Sequence, residues 1–369
     1  MISFDLDDEQ KMVRDTVAAF AIEQVRPAAR IADESGSIPS DLLAKAWDLG
    51  LVRGCLPENV GGYGGARAAV TGAIVAEELA YGDLSFALHA LAPWLLAFPL
   101  IEMGTDAQRS RHLPPLATDR FVAATAALME PAFDFDPADM STTSRRTSGD
   151  YVINGAKCYV PLAGDSEIIL VYAASSADSG FAGVDGFLVP RDSPGLKISG
   201  REENMGLKGL ATFELTFDQC RVPAENRLGG EPGINFARLL SQSRVAMAAM
   251  AVGVARAAFD YARDYAKERK AFGAPIATKQ AIAFMLAEMV IEVDAMRLLA
   301  WEAASWLDKG HDAVKQSYQA RNYAAAAALM VADNAVQVLG GHGYIREHPV
   351  EMWLRNARAF GVIEGLAIV

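Results

Sequence analysis

The sequence has 369 residues, of which 51% are hydrophobic, so we expect about two or three domains with large shared interfaces rather than one ordinary core. Its formal net charge of -12 and isoelectric point near 5.0 argue against general binding to nucleic acid or anionic membranes, because the field of the whole molecule repels polyanions. The 3 cysteines are far apart and the 5 histidines lack an HExxH pairing, which predicts inert thiols in a reducing compartment and no metal site.

Residues 1–118 predict a domain of helices. Apolar residues recur near helical spacing after Asp7 and Asp8, which are candidate N-caps. The glycine-rich segment at 58–66 follows no predicted strand and precedes no Lys-Ser or Lys-Thr pair, so we interpret it as a turn rather than a phosphate site. The acidic N-terminal residues MISFDLDDEQ do not resemble a secretory signal, so we expect a cytoplasmic protein.

One uncharged stretch, LSFALHALAPWLLAFPLI at 84–101, has nearly the length of a membrane span. Pro93 and Pro99 interrupt it and no basic flank follows, so we predict a pair of buried helices instead. We therefore expect no membrane partner.

The rest of the chain predicts a mainly α protein with an inserted β domain. Within 119–230, short segments rich in β-branched and aromatic residues are separated by Gly, Asp, Pro and Ser, which is typical of strands. These segments are FVAATAAL, DYVINGAKCYV, EIILVYAA, DGFLVP and TFELTF. Residues 231–369 return to helix, and long apolar periodicities at 234–270, 278–309 and 313–340 predict an antiparallel bundle with short connections.

Two segments of the bundle could contact a ligand. In YAKERKAFGAPIATKQ (265–280), Gly273 is a candidate helix C-cap. Arg269 and Phe272, three residues apart, could share a helix face and present a guanidinium and a ring to a phosphorylated aromatic ligand. In NAVQVLGGHGYIREHP (334–349), paired glycines allow close approach of a ligand and Gln337 offers an amide. Taken alone, the first segment is better explained as a helix end, and this explanation is also strong for the second.

The last residues, GVIEGLAIV, contain a single carboxylate, Glu364, among apolar neighbours. It is either a catalytic base or a solvated charge at a loose terminus.

Taken in order, the motifs of this sequence resemble those of the acyl-CoA dehydrogenase family of flavoproteins, over essentially the whole chain. The motifs are PENVGGYGG, MEP at 129–131, YVINGAK, ERKAFGAPIATKQ, FMLAEM, QVLGGHGY and LRNARAFGVIEG. The resemblance implies an N-terminal helical domain, a middle β-barrel-like domain and a C-terminal four-helix bundle, with boundaries that we place at 1–118, 119–230 and 231–369. It also implies a homodimer or homotetramer with FAD bound across a subunit interface.

The resemblance further implies that two hydrogens are removed from adjacent carbons of an acyl thioester such as acyl-CoA, as in fatty acid oxidation. Glu364 falls at the position of the family's base, which takes the α-proton while the β-hydrogen leaves as hydride to the flavin. Arg244 matches an arginine close to that site. The family's alternative base position is Ser243 here, which cannot act as a base. Such a base needs an apolar, water-poor pocket.

The residues that the resemblance assigns to FAD fall into two groups. Near the ring, Met129 stands where the family has a hydroxyl, Tyr159 takes the place of a tryptophan, and Pro161 replaces the hydroxyl residue that faces the reactive nitrogen. The residues that contact the FAD of a neighbouring subunit match those of the family. They are Arg269, Phe272 and Gln280 on the pyrophosphate side, and Gln337, Gly340 and Gly341 on the adenine side. After the base, Leu366 and Ile368 replace polar residues, and the sequence ends before the family's last helical segment.

This pattern is compatible with more than one function. The first is an active FAD-dependent acyl-CoA dehydrogenase with Glu364 as base. An alternative is a non-catalytic or half-catalytic partner subunit that completes the FAD site of a heterotetrameric acyl-CoA dehydrogenase. A third is a biosynthetic family member that acts on an acyl group bound to a carrier protein.

Overall fold

A computed structural model describes residues 5–176 and 179–369. Within these ranges the helices are α1 (Asp8–Phe20), α2 (Arg26–Ser35), α3 (Ser40–Asp48), α4 (Ala69–Gly82), α5 (Leu84–Leu91), α6 (Trp94–Met103), α7 (Asp106–His112), α8 (Phe236–Glu268), α9 (Gln280–Asp308), α10 (Val314–Leu339), α11 (Gly341–Tyr344) and α12 (Val350–Ala359). The strands are β1 (Thr125–Ala127), β2 (Thr143–Arg146), β3 (Asp150–Pro161), β4 (Ile168–Ala174), β5 (Val184–Pro190), β6 (Leu196–Arg201), β7 (Thr212–Pro223), β8 (Lys270–Ala271) and β9 (Ala274–Pro275). The order of helices, strands and helices confirms the predicted fold class.

The first helix begins at its predicted cap. The Asp7 side chain accepts a hydrogen bond from the amide of Gln10 at 2.8 Å, and the Gln10 side chain accepts one from the amide of Asp7 at 3.1 Å. This reciprocal capping satisfies amides that a helix start leaves unpaired. Asp7 is therefore the N-cap, and Asp8 is the first helical residue.

The long apolar stretches are buried inside the protein. The uncharged stretch at 84–101 forms α5 and α6, as predicted, and Phe86 and Leu88 are each 1% exposed. Helix α8 also has the length and hydropathy of a membrane span, but 78% of its apolar window is buried. Packing against other helices accounts for its hydrophobic composition.

The middle domain is a twisted sheet. In the described residues its strand order is β1-β4-β2-β3-β7-β6, and β5 pairs with β4. β1 runs parallel to β4, whereas β3 pairs with β7 in antiparallel register. The register of β3 shifts between Lys157 and Val160, where Tyr159 has a φ of 52°. A bulge at this point changes the direction of the side chains around Tyr159. Tyr159 is a residue predicted to face the cofactor.

Helix α8 is the common core of the two helical domains. It packs against α9, α10 and α12 in the bundle and against α4 of the N-terminal domain. At the contact with α4, a Cβ added to Gly253 would lie 2.2 Å from the carbonyl oxygen of Glu77. Glu77 pairs with Arg256 of α8 at 2.9 Å and with Arg297 of α9 at 3.0 Å. These contacts fix α8 relative to the N-terminal helices.

The segment after α8 corrects one prediction. The sequence predicts a helix to residue 270 with Gly273 as its cap, but α8 ends at Glu268 and Gly273 lies in the turn of the β8–β9 hairpin. Phe272 and Gly273 have φ values of 54° and 79°, and a two-residue hairpin turn of this type requires positive φ at both positions. Arg269 and Phe272 therefore do not share a helix face.

A buried ion pair joins β3 to the segment after β1. The Lys157 ammonium is fully buried and donates to Glu130 at 2.9 Å and to the Leu128 carbonyl at 2.8 Å. The amides of Ser141 and Thr142 also donate to Glu130, at 2.7 and 2.9 Å. Burial lowers the pKa of Lys157 to about 8 against the opposing effect of Glu130. Although burial acts in the opposite sense, Lys157 and the Thr142 amide hold the pKa of Glu130 below its usual value.

We predict that Lys157→Met lowers the free energy of unfolding by about 3–5 kcal/mol, because it leaves Glu130 as a buried carboxylate without its cation. The double variant Lys157→Met/Glu130→Gln should recover much of this loss, since the unpaired charge is gone. Urea denaturation followed by circular dichroism measures both effects. Equal stability of Lys157→Met and the wild type would contradict the role of the pair.

Candidate active site

Glu364 lies in a turn that follows α12. The Ile363 amide donates to the Ala359 carbonyl at 2.8 Å, and Gly365 has a φ of 84°. A Cβ added to Gly365 would meet Leu128 Cδ2 at 2.6 Å. Glycine is therefore needed both for the left-handed backbone and for the close approach to Leu128. This turn directs Glu364 into the protein.

Glu364 forms an ion pair with Arg244 of α8. Arg244 Nε donates to Glu364 Oε1 at 2.7 Å, and the two side chains are 7% and 12% exposed, respectively. The Arg244 Cζ also lies 5.2 Å from the ring centroid of Tyr318, within the range of a cation–π contact. Glu364 is thus a buried, paired carboxylate, and the alternative of a solvated charge at a loose terminus is wrong.

A small apolar cavity, the acyl cavity, adjoins the turn of Glu364. Its lining includes Leu95, Leu128, Tyr172, Leu240, Ser243, Gly365 and Ile368. Its volume is about 10 Å³, which is room for about one water molecule. Ser243 Oγ is buried and has no hydrogen-bond partner among the described residues. The walls of this cavity are therefore mostly apolar side chains, with the Ser243 hydroxyl as an unsatisfied polar group.

The segment after Gly365 packs into the interior. Leu366, Ala367, Ile368 and Val369 are 2%, 1%, 3% and 1% exposed. The carbonyl oxygen of Val369 accepts a hydrogen bond from Arg67 at 2.6 Å. A Cβ added to Gly72 of α4 would lie 2.9 Å from the Val369 Cβ. Apolar residues at 366 and 368 are therefore part of the core.

A second cavity, the ring cavity, lies at the end of α12. Its volume is about 140 Å³. It is lined by Tyr159, Asn204, Met205, Gly206, Leu207, Arg355, Arg358, Ala359, Val362 and Ile363. The residues just before Glu364 thus line the ring cavity, whereas Gly365, just after it, lines the acyl cavity.

Met129 and Tyr159 lie where the segment after β1 meets β3. The Cys158 amide donates to the Met129 carbonyl at 2.9 Å, and the Tyr159 amide donates to Glu202 Oε1 at 3.3 Å. Both side chains are half-buried. Burial raises the pKa of Tyr159, with Cys158 and Glu202 acting in the same sense, so its phenol remains a hydrogen-bond donor at neutral pH.

The residues predicted for a neighbour's FAD are all exposed at the surface of the bundle. They are Arg269, Phe272, Gln280, Gln337, Gly340 and Gly341. The Tyr265 hydroxyl, one turn before Arg269, is hydrogen-bonded to His342 Nδ1 at 2.7 Å, which brings the end of α8 beside Gly341. The Arg269 guanidinium has no ion-pair partner in the described part of the chain. Cβ atoms added to Gly340 and Gly341 would meet nothing within 4 Å, so this surface has room for a ligand.

The donor groups at these two places fit FAD. The bundle surface offers a guanidinium, amides and glycine backbone, which suit phosphates and a nucleotide base. The ring cavity is lined by Tyr159 and Arg358, whose phenol and guanidinium are hydrogen-bond donors, whereas Met129 and Pro161 are not among its lining residues. Arg358 is exposed and has no ion-pair partner within residues 5–176 and 179–369.

Sequence reasoning missed Arg358 and Tyr318. Arg358 lies within the motif LRNARAFGVIEG, so a cation close to the base was a signal that could have been used. Tyr318 lies on α10 and meets Arg244 only through packing of the bundle, so no local pattern indicates it.

A helical domain, a seven-stranded sheet and a helical bundle, in this order, form the fold of a class of flavin-dependent dehydrogenases. The sequence profiles of the acyl-CoA dehydrogenase N-terminal, middle and C-terminal domains match residues 7–120, 125–220 and 234–367. The chain belongs to the acyl-CoA dehydrogenase family. Members of this family bind FAD and act on CH–CH donors.

Individual relatives agree with this assignment. The chain is 35% identical over 365 residues to an acyl-CoA dehydrogenase of Bacillus subtilis (strain 168), with 97% of this chain and 94% of the relative covered. It is 38% identical over 368 residues to a cyclohex-1-ene-1-carbonyl-CoA dehydrogenase of Geobacter metallireducens, with 98% and 95% covered. Its structure is similar to that of butyryl-CoA dehydrogenase from Megasphaera elsdenii, with a TM-score of 0.88, 30% identity, and 99% and 96% covered.

We predict that Gly365→Ala destabilises the protein by about 1–3 kcal/mol, because alanine strains the left-handed backbone and meets Leu128. Gly361→Ala is the matched control in the same turn, since its Cβ would meet only the Arg358 carbonyl oxygen, at 3.8 Å. We expect the control to change stability by less than about 0.5 kcal/mol. Chemical denaturation of both variants measures the difference, and equal effects would contradict the close approach to Leu128.

Proposed function

We propose that the chain catalyses α,β-dehydrogenation of an acyl-CoA thioester, with Glu364 as the base that removes the α-proton. The observation that carries this proposal is the position of Glu364 in the chain between Ile363, which lines the ring cavity, and Gly365, which lines the acyl cavity. When bound, FAD supplies the electron acceptor for the reaction. A carboxylate on the residue that links the two cavity walls can take a proton from an acyl group that extends into the apolar cavity.

Arg244 is the positioning residue for this base. Its hydrogen bond to Glu364 at 2.7 Å holds one carboxylate oxygen in place and fixes the direction in which the carboxylate points. Tyr318 lies against the Arg244 guanidinium and restricts it further. The burial of both charged side chains excludes most water from the pair, which preserves their orientation while a thioester binds.

We predict that Glu364→Gln lowers turnover of an acyl-CoA by about 10²-fold or more and leaves binding of the thioester nearly unchanged, because the amide keeps the shape but cannot accept the proton. Steady-state kinetics and calorimetric binding measure the two quantities. Thermal melting is needed beside them, since the amide leaves Arg244 without its counter-charge. Glu9→Gln, at an exposed glutamate of α1, is the control. Equal turnover in wild type and Glu364→Gln would dismiss the role of Glu364.

A second function is favoured by a contrast between the two groups of FAD residues. Met129 and Pro161 stand where the family has hydroxyl residues near the flavin ring. By contrast, Arg269, Gln337 and the glycines of the bundle surface match the family's residues and are exposed. A subunit of this kind could complete the FAD site of a related partner in a heteromeric assembly. The flavin content of the purified chain separates the two functions: FAD near one per chain supports the first, and FAD that appears only after mixing with a related subunit supports the second.

In either case Arg269 is proposed to contact the pyrophosphate of FAD in a neighbouring subunit. We predict that Arg269→Ala weakens FAD retention by about tenfold or more, because a charge-assisted hydrogen bond to phosphate is lost. Lys267→Ala is the matched control, since Lys267 is an exposed cation that pairs with Asp264 at 3.5 Å. Flavin absorbance of the assembly after gel filtration measures retention. The same retention in both variants would count against the contact.

A further inference from the structure

We infer that Ile368 restricts the substrate to short acyl groups; this inference rests on the proposed function of the site. Ile368 forms part of the wall of the acyl cavity, which has a volume of about 10 Å³. The carbons of an acyl group beyond the reacting pair must enter the space that this side chain occupies or borders. The free-energy cost of displacing Ile368 therefore rises with the length of the acyl chain.

The segment that carries Ile368 is anchored at both ends. On one side, Gly365 packs on Leu128 in the turn after Glu364. On the other side, Val369 accepts a hydrogen bond from Arg67 at 2.6 Å and packs against Gly72 of α4. Ile368 itself is 3% exposed. The wall formed by Ile368 is thus a packed part of the core, and a ligand cannot displace it freely.

Other walls of the acyl cavity belong to regular elements. Leu95 lies on α6, Tyr172 on β4 and Leu240 on α8, and their exposures are 4%, 6% and 2%. These residues are held by the packing of whole helices and strands. Ile368 lies in a segment without regular structure, so a substitution can shorten this side chain without altering a helix or a strand.

Ser243 adds a polar group to the wall of the acyl cavity. Its hydroxyl is buried, at 5% exposure of the residue, and has no hydrogen-bond partner in the part of the chain that the structure describes. Buried polar groups without partners are rare in native proteins because they are unfavourable. A polar atom of the bound thioester, or a water molecule that accompanies it, would satisfy the hydroxyl.

The test uses the holoprotein and the thioethers butyl-CoA, octyl-CoA and dodecyl-CoA, which lack the thioester carbonyl and cannot be turned over. Isothermal titration calorimetry measures their dissociation constants. We expect octyl-CoA to bind the wild type about tenfold or more weakly than butyl-CoA, since a pocket of fixed depth discriminates about this strongly per methylene that it cannot hold. Ile368→Ala should remove most of this difference, and Ile368→Val should reduce it partly. Ile31→Ala, at a residue of α2 that is 63% exposed, should leave the ratio unchanged.

The outcomes distinguish a failure of this inference from a failure of the proposed function on which it rests. Equal affinity of the wild type for butyl-CoA and octyl-CoA would overturn the inference and leave the proposed function standing. The same would follow if both Ile368 variants kept the wild-type ratio. If Ile368→Ala does not fold, the ratio of dissociation constants is compared between Ile368→Val and the wild type instead. If no thioether binds to any of the proteins, the proposed function fails and the inference fails with it.

Discussion

The ion pair between Arg244 and Glu364 is the interaction on which the site depends. It joins residues 120 positions apart, one in the long core helix and the other in the turn after α12. Two charges taken out of water remain favourable only while they face each other, so the pair requires that helix and turn keep their relative position. Gly253 and the ion pairs of Glu77 hold α8 against α4, and Gly365 holds the turn against Leu128. Packing distant from the site therefore determines the geometry of the candidate base.

The chain segment around Glu364 borders two different environments. Residues before Glu364 line a cavity with donors from Tyr159 and Arg358, and residues after it line an apolar cavity with almost no free volume. This division matches the needs of a dehydrogenase, which must place a base beside an acyl carbon and keep the acyl chain out of water. The bundle surface keeps the polar residues that the family resemblance assigns to FAD, whereas Met129 and Pro161 carry no hydroxyl at the positions assigned to the flavin ring.

Local patterns in the sequence predicted several elements well. Asp7 caps the start of α1 because a side-chain cap acts over a few residues. Pro93 separates α5 from α6 in the apolar stretch at 84–101, whereas Pro99 lies inside α6. The β8–β9 hairpin was not predicted, because Gly273 is compatible with either a helix cap or a left-handed turn. β2 and β6 are largely exposed, so they lack the apolar alternation that indicates a strand.

The sequence by itself determined the class of the protein and the position of the candidate base, because motifs such as ERKAFGAPIATKQ and LRNARAFGVIEG are contiguous and can be recognised without knowing any contact. Only the tertiary structure decided that Glu364 pairs with Arg244, that Tyr318 lies beside that pair, and that Ile368 lines the acyl cavity. These contacts join residues from different helices, turns and strands. Their geometry depends on how all the elements pack together, and no local run of residues contains that information.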